Sequence, residues 1–339
     1  MPSGQPRRKR LRADSESSAD RPEHPAFGRD EKFWYEDGNI VIIAQETGFR
    51  VYQGLLATHS DVFRDIFSLA QPAVDDKQDE TLGDCPVVHV TDTASEIRSL
   101  LAVLLPEHRF IGRLKLRSDD VANCIRLAHK YGIEDLLQDS VQELGRYFPD
   151  CFDAWDKRSQ SGRGASYAIA AVNLARLTNT LSLLNGALYT CCQLDASQLL
   201  DGYTRPDGTV DILSSEDLGR CINGKARLSA LYMRAVYDIF APLSTNEVKK
   251  CVDVTGSCNA ALATIRTRRM EPPIGGEGYD VLRPWDSVIR IYCQRKRNPL
   301  CNLCAKILLQ REKTIRKGVW EDLPDVLALE APSIPVANR

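Results

Sequence analysis

No stretch of this 339-residue sequence holds enough consecutive apolar residues to span a bilayer. Its charged N-terminus is not followed by the apolar segment of a secretory signal, so secretion is not expected. Net charge is nearly absent as well, at −2 over the whole chain. That balance argues against a nucleic-acid binder or a membrane-surface protein taken as a whole. Histidine is sparse: His24, His59, His89, His108 and His129 have no cysteine or carboxylate partner at ligand or relay spacing. Each is therefore expected to pack or to face solvent rather than to catalyse. There is no Gly-x-Ser-x-Gly elbow, no HExxH and no internal repeat, and the expectation is a protein that is not an enzyme.

What is present is an ordinary globular composition, 43% hydrophobic and 27% charged, long enough for two folded domains. Eleven cysteines, an odd number, read as free thiols or metal ligands in a reducing compartment rather than as disulfides. Residues 1–30 and 331–339 are polar and proline-bearing tails with little to bury, and disorder is expected there. Within the first tail Arg7, Arg8, Lys9, Arg10 and Arg12 form a cationic run. Such a run can lie extended in the acidic groove of a nuclear import receptor, or can simply solubilise the tail. The nucleus, the cytoplasm or both are the expected locations. Ser15, Ser17 and Ser18 follow among acidic residues, where phosphorylation would retune the tail's charge.

Asn39 to Ala44 is a continuous β-branched run, the pattern of a strand covered on both faces. Gln45 to Gly48 supplies a turn, and Phe49 to Tyr52 alternates as the returning strand. Leu55 to His59 makes a short helix. Ser60 then sits as an N-cap, with Val62, Phe63, Ile66 and Phe67 on one helical face. After a polar loop, Gln71 to Asp84, comes a third strand, Pro86 to Val90. Thr93 and Glu96 form a capping box, followed by Ile97, Leu100, Leu101 and Leu104 at helical spacing and a stop at Pro106. Two further helices carry Val121, Cys124, Ile125 and Ala128, then Leu137, Val141, Leu144 and Phe148, with Gly132 between them as a C′ residue.

Phe49 and Val51, Leu55 and Leu56, Ser60 to Phe67, and Pro86 to Asp92 with the helix after it resemble a BTB/POZ domain, a protein-interaction module. The pattern departs from the usual one at Tyr52 (normally His), at Asp61 (normally Pro), and at Leu104 and Leu105 (normally Leu-Tyr). The basic tail, a helical second half and the late motif Trp320, Leu323, Pro324 are similar to a large fungal group of such proteins. The resemblance implies an α/β (α+β) module over residues 33–148, with its core at 38–106. A linker at 149–164 and an all-helical domain at 165–330 would follow. It implies a non-catalytic adaptor that docks protein partners or forms a homodimer. Phe63, Ile66, Phe67, Leu69 and Val74 are the interaction surface. One form of that role is substrate adaptor of a cullin-type ubiquitin ligase, with the cullin bound around Phe67 to Val74. The alternative is a nuclear scaffold or transcription cofactor without a ligase role.

In the second half, apolar helices are expected over 165–177 and 181–192. A long helix from Ser215 should bury Leu218, Ile222, Leu228, Leu231, Ala235 and Ile239. Gly219 to Lys225 has phosphate-loop spacing, but Ala226 replaces the required hydroxyl and the segment lies within a helical pattern. Gly275, Gly276 and Gly278 belong to a loop without a dinucleotide-binding context. Cys301 and Cys304 form a CxxC, a spacing at which two thiolates share a tetrahedral ion. Cys251, Cys258 and Cys293 are the candidates for the remaining ligands, Cys251 and Cys258 first. Buried structural cysteines are the simpler expectation, with no cofactor, and a structural zinc is the alternative. Cys191, Cys192 and Cys221 read as core. Arg266, Arg268, Arg269, Arg295 to Arg297 and Lys306 to Lys317 make the C-terminal third basic. A solvated face is expected of them, and nucleic acid is not an expected partner. Trp155, Trp285, Tyr292 and Trp320 are expected as core anchors.

Overall fold

The computed structural model describes residues 27–69, 81–82, 85–105, 117–158, 165–249, 251–253, 255–271, 279–297 and 299–329. The basic run at Arg7 to Arg12, Val74, most of the Gln71 to Asp84 loop, the Gly275 to Gly278 loop and the tail 331–339 lie outside these residues. The fold is mixed, with a small sheet in the N-terminal region and a helical second half.

The sheet is ordered β1-β3-β2-β5-β4, from β1 (Gly28–Trp34), β2 (Ile40–Ala44), β3 (Thr47–Val51), β4 (Thr81–Leu82) and β5 (Cys85–Val90). All of β2 is buried. Ile40, Ile42 and Ala44 face the helices, while Val41 and Ile43 pack with Cys85 and with Phe27, Trp34, Leu82 and Val87 on the opposite face. That two-sided burial is why the run lacks polar alternation. β2 pairs antiparallel with β3 and parallel with β5. The turn is tighter than expected: Ala44 pairs with Thr47, and Gln45 takes a positive φ of 56°. Gly48 lies within β3, where a side chain would collide with the Phe27 ring, 2.3 Å from an added Cβ.

β1 begins inside the stretch expected to be tail. It pairs parallel with β3, with a register shift between Arg29 and Trp34. The buried Asp30 carboxylate explains the irregularity. It accepts the Lys32 and Phe33 amides at 3.0 and 2.9 Å and the Arg98 Nε–H at 2.9 Å. A side chain thus replaces ladder partners, and no strand-like alternation announces the element.

Between β3 and β4 run α1 (Gln53–His59) and α2 (Asp61–Leu69). The Ser60 hydroxyl accepts the Phe63 amide at 3.0 Å and donates to the Tyr131 carbonyl at 2.5 Å. Phe63 and Phe67 stack at 5.5 Å, and Phe63 stacks on Tyr131 at 4.1 Å. Both phenylalanines are 1% exposed, so their assignment to an interaction surface is corrected. An i, i+4 aromatic stripe serves a core or an interface equally well, and here it closes the core. Ile66 is half-buried against the same core, whereas Leu69 is 83% exposed.

α3 (Ala94–Leu104) starts at the expected capping box, Thr93 with Glu96, and buries Ile97, Leu100, Leu101 and Leu104. α4 (Ser118–Lys130) and α5 (Glu134–Gly145) follow, with Gly132 left-handed between them. α4 is buried on two flanks. Cys124, Leu127 and Ala128 complete the sheet core, while Val121, Ala122 and Ile125 enter the helical core.

The second half comprises α6 (Phe152–Lys157), α7 (Tyr167–Leu177), a 3-10 turn (Leu181–Leu183), α8 (Leu184–Cys191) and α9 (Ala196–Asp201). A hairpin of β6 (Tyr203–Thr204) and β7 (Val210–Asp211) precedes α10 (Ser215–Ile239), α11 (Thr245–Val248), α12 (Ser257–Met270), α13 (Asp286–Cys293), α14 (Asn302–Glu321) and α15 (Leu323–Val326). The expectation of an all-helical domain therefore misses one hairpin. The expected linker at 149–164 also contains α6, whose Phe152 and Trp155 are buried; Trp155 sits 4.9 Å from Trp320. Within α10, Ile222 is 56% exposed, and Cys221 and Gly224 take the buried positions instead.

Phe67→Ala is expected to cost about 3–5 kcal/mol, and Leu69→Ala to stay within about 0.5 kcal/mol. Urea unfolding of the two variants checks this; equal costs would contradict the assignment of Phe67 to the core.

Candidate metal centre

Four cysteines expected only as alternatives come together. The Sγ atoms of Cys251, Cys258, Cys301 and Cys304 all lie within 4.8 Å of one another. Cys251 follows α11, and its amide donates to the Val248 carbonyl at 2.9 Å. α11 itself is fixed by a capping box of Ser244 and Glu247 and by Arg311 of α14, which meets Glu247 at 2.5 Å. Cys258 lies in the first turn of α12. There Asp253 accepts the Cys258 amide at 3.0 Å and the Thr255 hydroxyl at 2.6 Å. Cys301 is the N-cap of α14, its sulfur accepting the Cys304 amide at 3.4 Å. The Cys301 amide in turn donates to Cys258 Sγ at 3.3 Å.

The CxxC thus bridges the start of one helix, and the first turn of a second helix meets it. Two positive helix ends converge on the sulfurs, and both favour thiolate over thiol. Burial alone would raise the Cys301 thiol, but hydrogen bonds from the Cys304 and Val252 backbone outweigh it and bring Cys301 down to about 7. Burial pushes the Cys258 thiol up to about 11, and burial with the neighbouring sulfurs holds Cys304 well above the ordinary thiol range.

The Cys304–Cys251 and Cys251–Cys301 sulfur separations are 3.5 and 3.9 Å. A tetrahedral ion with bonds of roughly 2.3 Å to sulfur has ligand edges of about 3.8 Å, so the group is already spaced to hold one. An all-sulfur tetrahedral set suits zinc or an iron–sulfur centre. All four positions come from protein, which is the closed arrangement of structural sites. Cys293 does not join the group; it is half-buried against the neighbouring core.

The other motifs resolve into structure. Cys191, Cys192 and Cys221 are buried in the helical core. Gly219 to Lys225 lies inside α10, so its amides are taken by the helix. Lys225 instead donates to the Cys192 carbonyl at 3.1 Å and to the Leu194 carbonyl, near the end of α8. Trp155, Trp285, Tyr292 and Trp320 are buried core rings. The basic C-terminal helix is not wholly solvated. Arg316 is 2% exposed, bonded to Glu312, to Asp156 at 2.6 Å and to the Leu282 carbonyl at 3.3 Å. The Glu312–Arg316 spacing was the available signal for that pair. Compared with known proteins, the chain matches no protein-family model and no curated sequence.

Two outcomes follow for the purified protein. Cys304→Ser should reduce bound metal from about one ion per chain to near zero and lower the thermal midpoint, as read by elemental analysis and calorimetry. The Cys258 thiol, at about 11, carries its proton at neutral pH and must release it to a metal. Affinity should therefore fall roughly tenfold per pH unit for each proton released as pH is lowered from 8 to 6, measured by chelator competition.

Proposed function

We propose that the chain is a non-catalytic adaptor for protein–protein contacts, with a BTB/POZ-type N-terminal unit and a helical half stapled by structural zinc. The observation that carries the reading is connectivity. A β2–β3 antiparallel hairpin is followed by two short helices, by β5 added parallel to β2, and by α3 covering the sheet. That order supports the resemblance carried by Ser60 to Phe67 and Pro86 to Asp92. Zinc suits the second half because Cys251, Cys258 and the Cys301–Cys304 pair belong to three separate segments that must be held in register. Its binding energy would contribute directly to folding.

The contact surface on α2 is narrower than the sequence suggested. With Phe63 and Phe67 in the core, Leu69 and the 39%-exposed Val62 are its outward apolar side chains. The partner most in keeping with the reading is a cullin, which would make the chain a ubiquitin-ligase substrate adaptor. A nuclear scaffold or transcription cofactor is the alternative.

Affinity capture of the full chain from its own cells, with mass spectrometry of bound proteins, separates these. Recovery of a cullin and its ring-type partner, lost at least tenfold with Leu69→Glu, is the expected outcome. Recovery of chromatin proteins or of the chain alone, unaffected by that substitution, would replace the ligase role with the scaffold.

A further inference from the structure

The four cysteines of the metal centre are not equivalent. Cys258 and Cys304 are 1% and 0% exposed, whereas Cys251 and Cys301 are half-buried. The two half-buried cysteines are also neighbours, their sulfurs 3.9 Å apart, although 50 residues separate them in sequence. Cys251 lies outside any helix, between α11 and α12, and Cys301 precedes the first helical residue of α14. Cys251 is outside any helical ladder, and Cys301 joins one only through its carbonyl, which accepts the Ala305 amide at 2.9 Å. Closing the gap to a disulfide, roughly 2.05 Å between sulfurs, needs a movement of about 2 Å.

We propose that this edge is a redox modification site, at which peroxide joins Cys251 to Cys301 and expels the bound metal. The proposal rests on the zinc reading above. Thiolate, not thiol, is the nucleophile, and metal ligation holds all four sulfurs in that form. One of these two thiolates attacks hydrogen peroxide: a sulfur–oxygen bond forms, the oxygen–oxygen bond breaks, and hydroxide leaves. The resulting sulfenic acid is then attacked by the second thiolate, which forms the disulfide and releases a second hydroxide. Two thiolates have together lost two electrons, and one peroxide has become two hydroxides. Cys258 and Cys304 remain as the only thiolate ligands, half of a tetrahedral set, and the zinc ion departs. A dithiol reductant reverses the step by thiol–disulfide exchange and restores the site.

The test uses reduced, zinc-loaded full-length protein treated with hydrogen peroxide. Zinc release is followed with a chromogenic chelator, free thiols are counted, and disulfides are mapped by mass spectrometry. The expected result is loss of the zinc together with two of the eleven thiols, a Cys251–Cys301 cross-link, and recovery on reduction. Cys151 is exposed and distant in sequence, so Cys151→Ser should leave the rate of release unchanged. Zinc retained while thiols are lost elsewhere, or a cross-link that excludes Cys251 and Cys301, would overturn the redox site and leave the zinc reading standing. No zinc in the reduced protein before peroxide is added would overturn both.

Discussion

A helix buried along two flanks has almost no side left for solvent, and α4 places that constraint at the middle of this molecule. Cys124, Leu127 and Ala128 fill one core while Val121, Ala122 and Ile125 fill the other. Its polar residues are committed as well. Asn123 donates to the Ser99 hydroxyl at 3.1 Å, and Arg126 meets Asp211 at 2.8 Å. The hairpin of the second half closes over this helix. Arg205 joins Asp211 at 2.6 Å and Glu96 at 3.1 Å, Tyr203 donates to Asp119 at 2.6 Å, and Thr93 donates to Asp207 at 3.0 Å. Glu96 thereby caps α3 and answers Arg205 at once. Charges so enclosed add little net energy relative to apolar packing, but they penalise any other docking of hairpin on helix, since a misplaced partner leaves a buried charge unanswered. Among the described residues, the two cores therefore meet within α4 and α5.

α14 plays the corresponding part in the helical half. Its N-cap and first turn carry Cys301 and Cys304, its middle carries Arg311 against Glu247, and its last turns carry Arg316 and Trp320 against α6. One continuous element thus fixes the sulfur cluster, the α11 segment that delivers Cys251, and the helix that follows the sheet unit. Protein contacts through α11, α12 and α14 thus reach the cluster from several sides.

Local signals were legible where local chemistry decides the outcome. The unbroken apolar run of β2, the Thr93 capping box, the stripe of α3 and Gly132 all followed from spacing and backbone preference. What escaped depends on partners distant in sequence. β1 is irregular because Asp30 bonds its own backbone, and its charged composition hides it. α6 has six residues, too few to show a helical period, and is held by its two aromatic rings. Phe63 and Phe67 form a stripe whose destination, core or interface, periodicity does not specify. The CxxC was visible as a motif, but the gaps to Cys251 and Cys258 follow no pattern. Only the meeting of the α12 and α14 starts turns two weak signals into a four-sulfur group.

The position of α14 near residue 302 also imposes an order in time. The sheet, α1 to α5 and their shared core are available once residue 145 has been synthesised. The outer flank of α4 is covered soon afterwards by α7, which ends at Leu177. Phe152 and Trp155 of α6 instead wait for Arg316 and Trp320 of α14. At ~5–20 residues per second that interval is roughly 10–30 s. During it the nascent chain displays two aromatic rings that are interior in the finished protein, and the late CxxC is synthesised shortly before the residues that cover them.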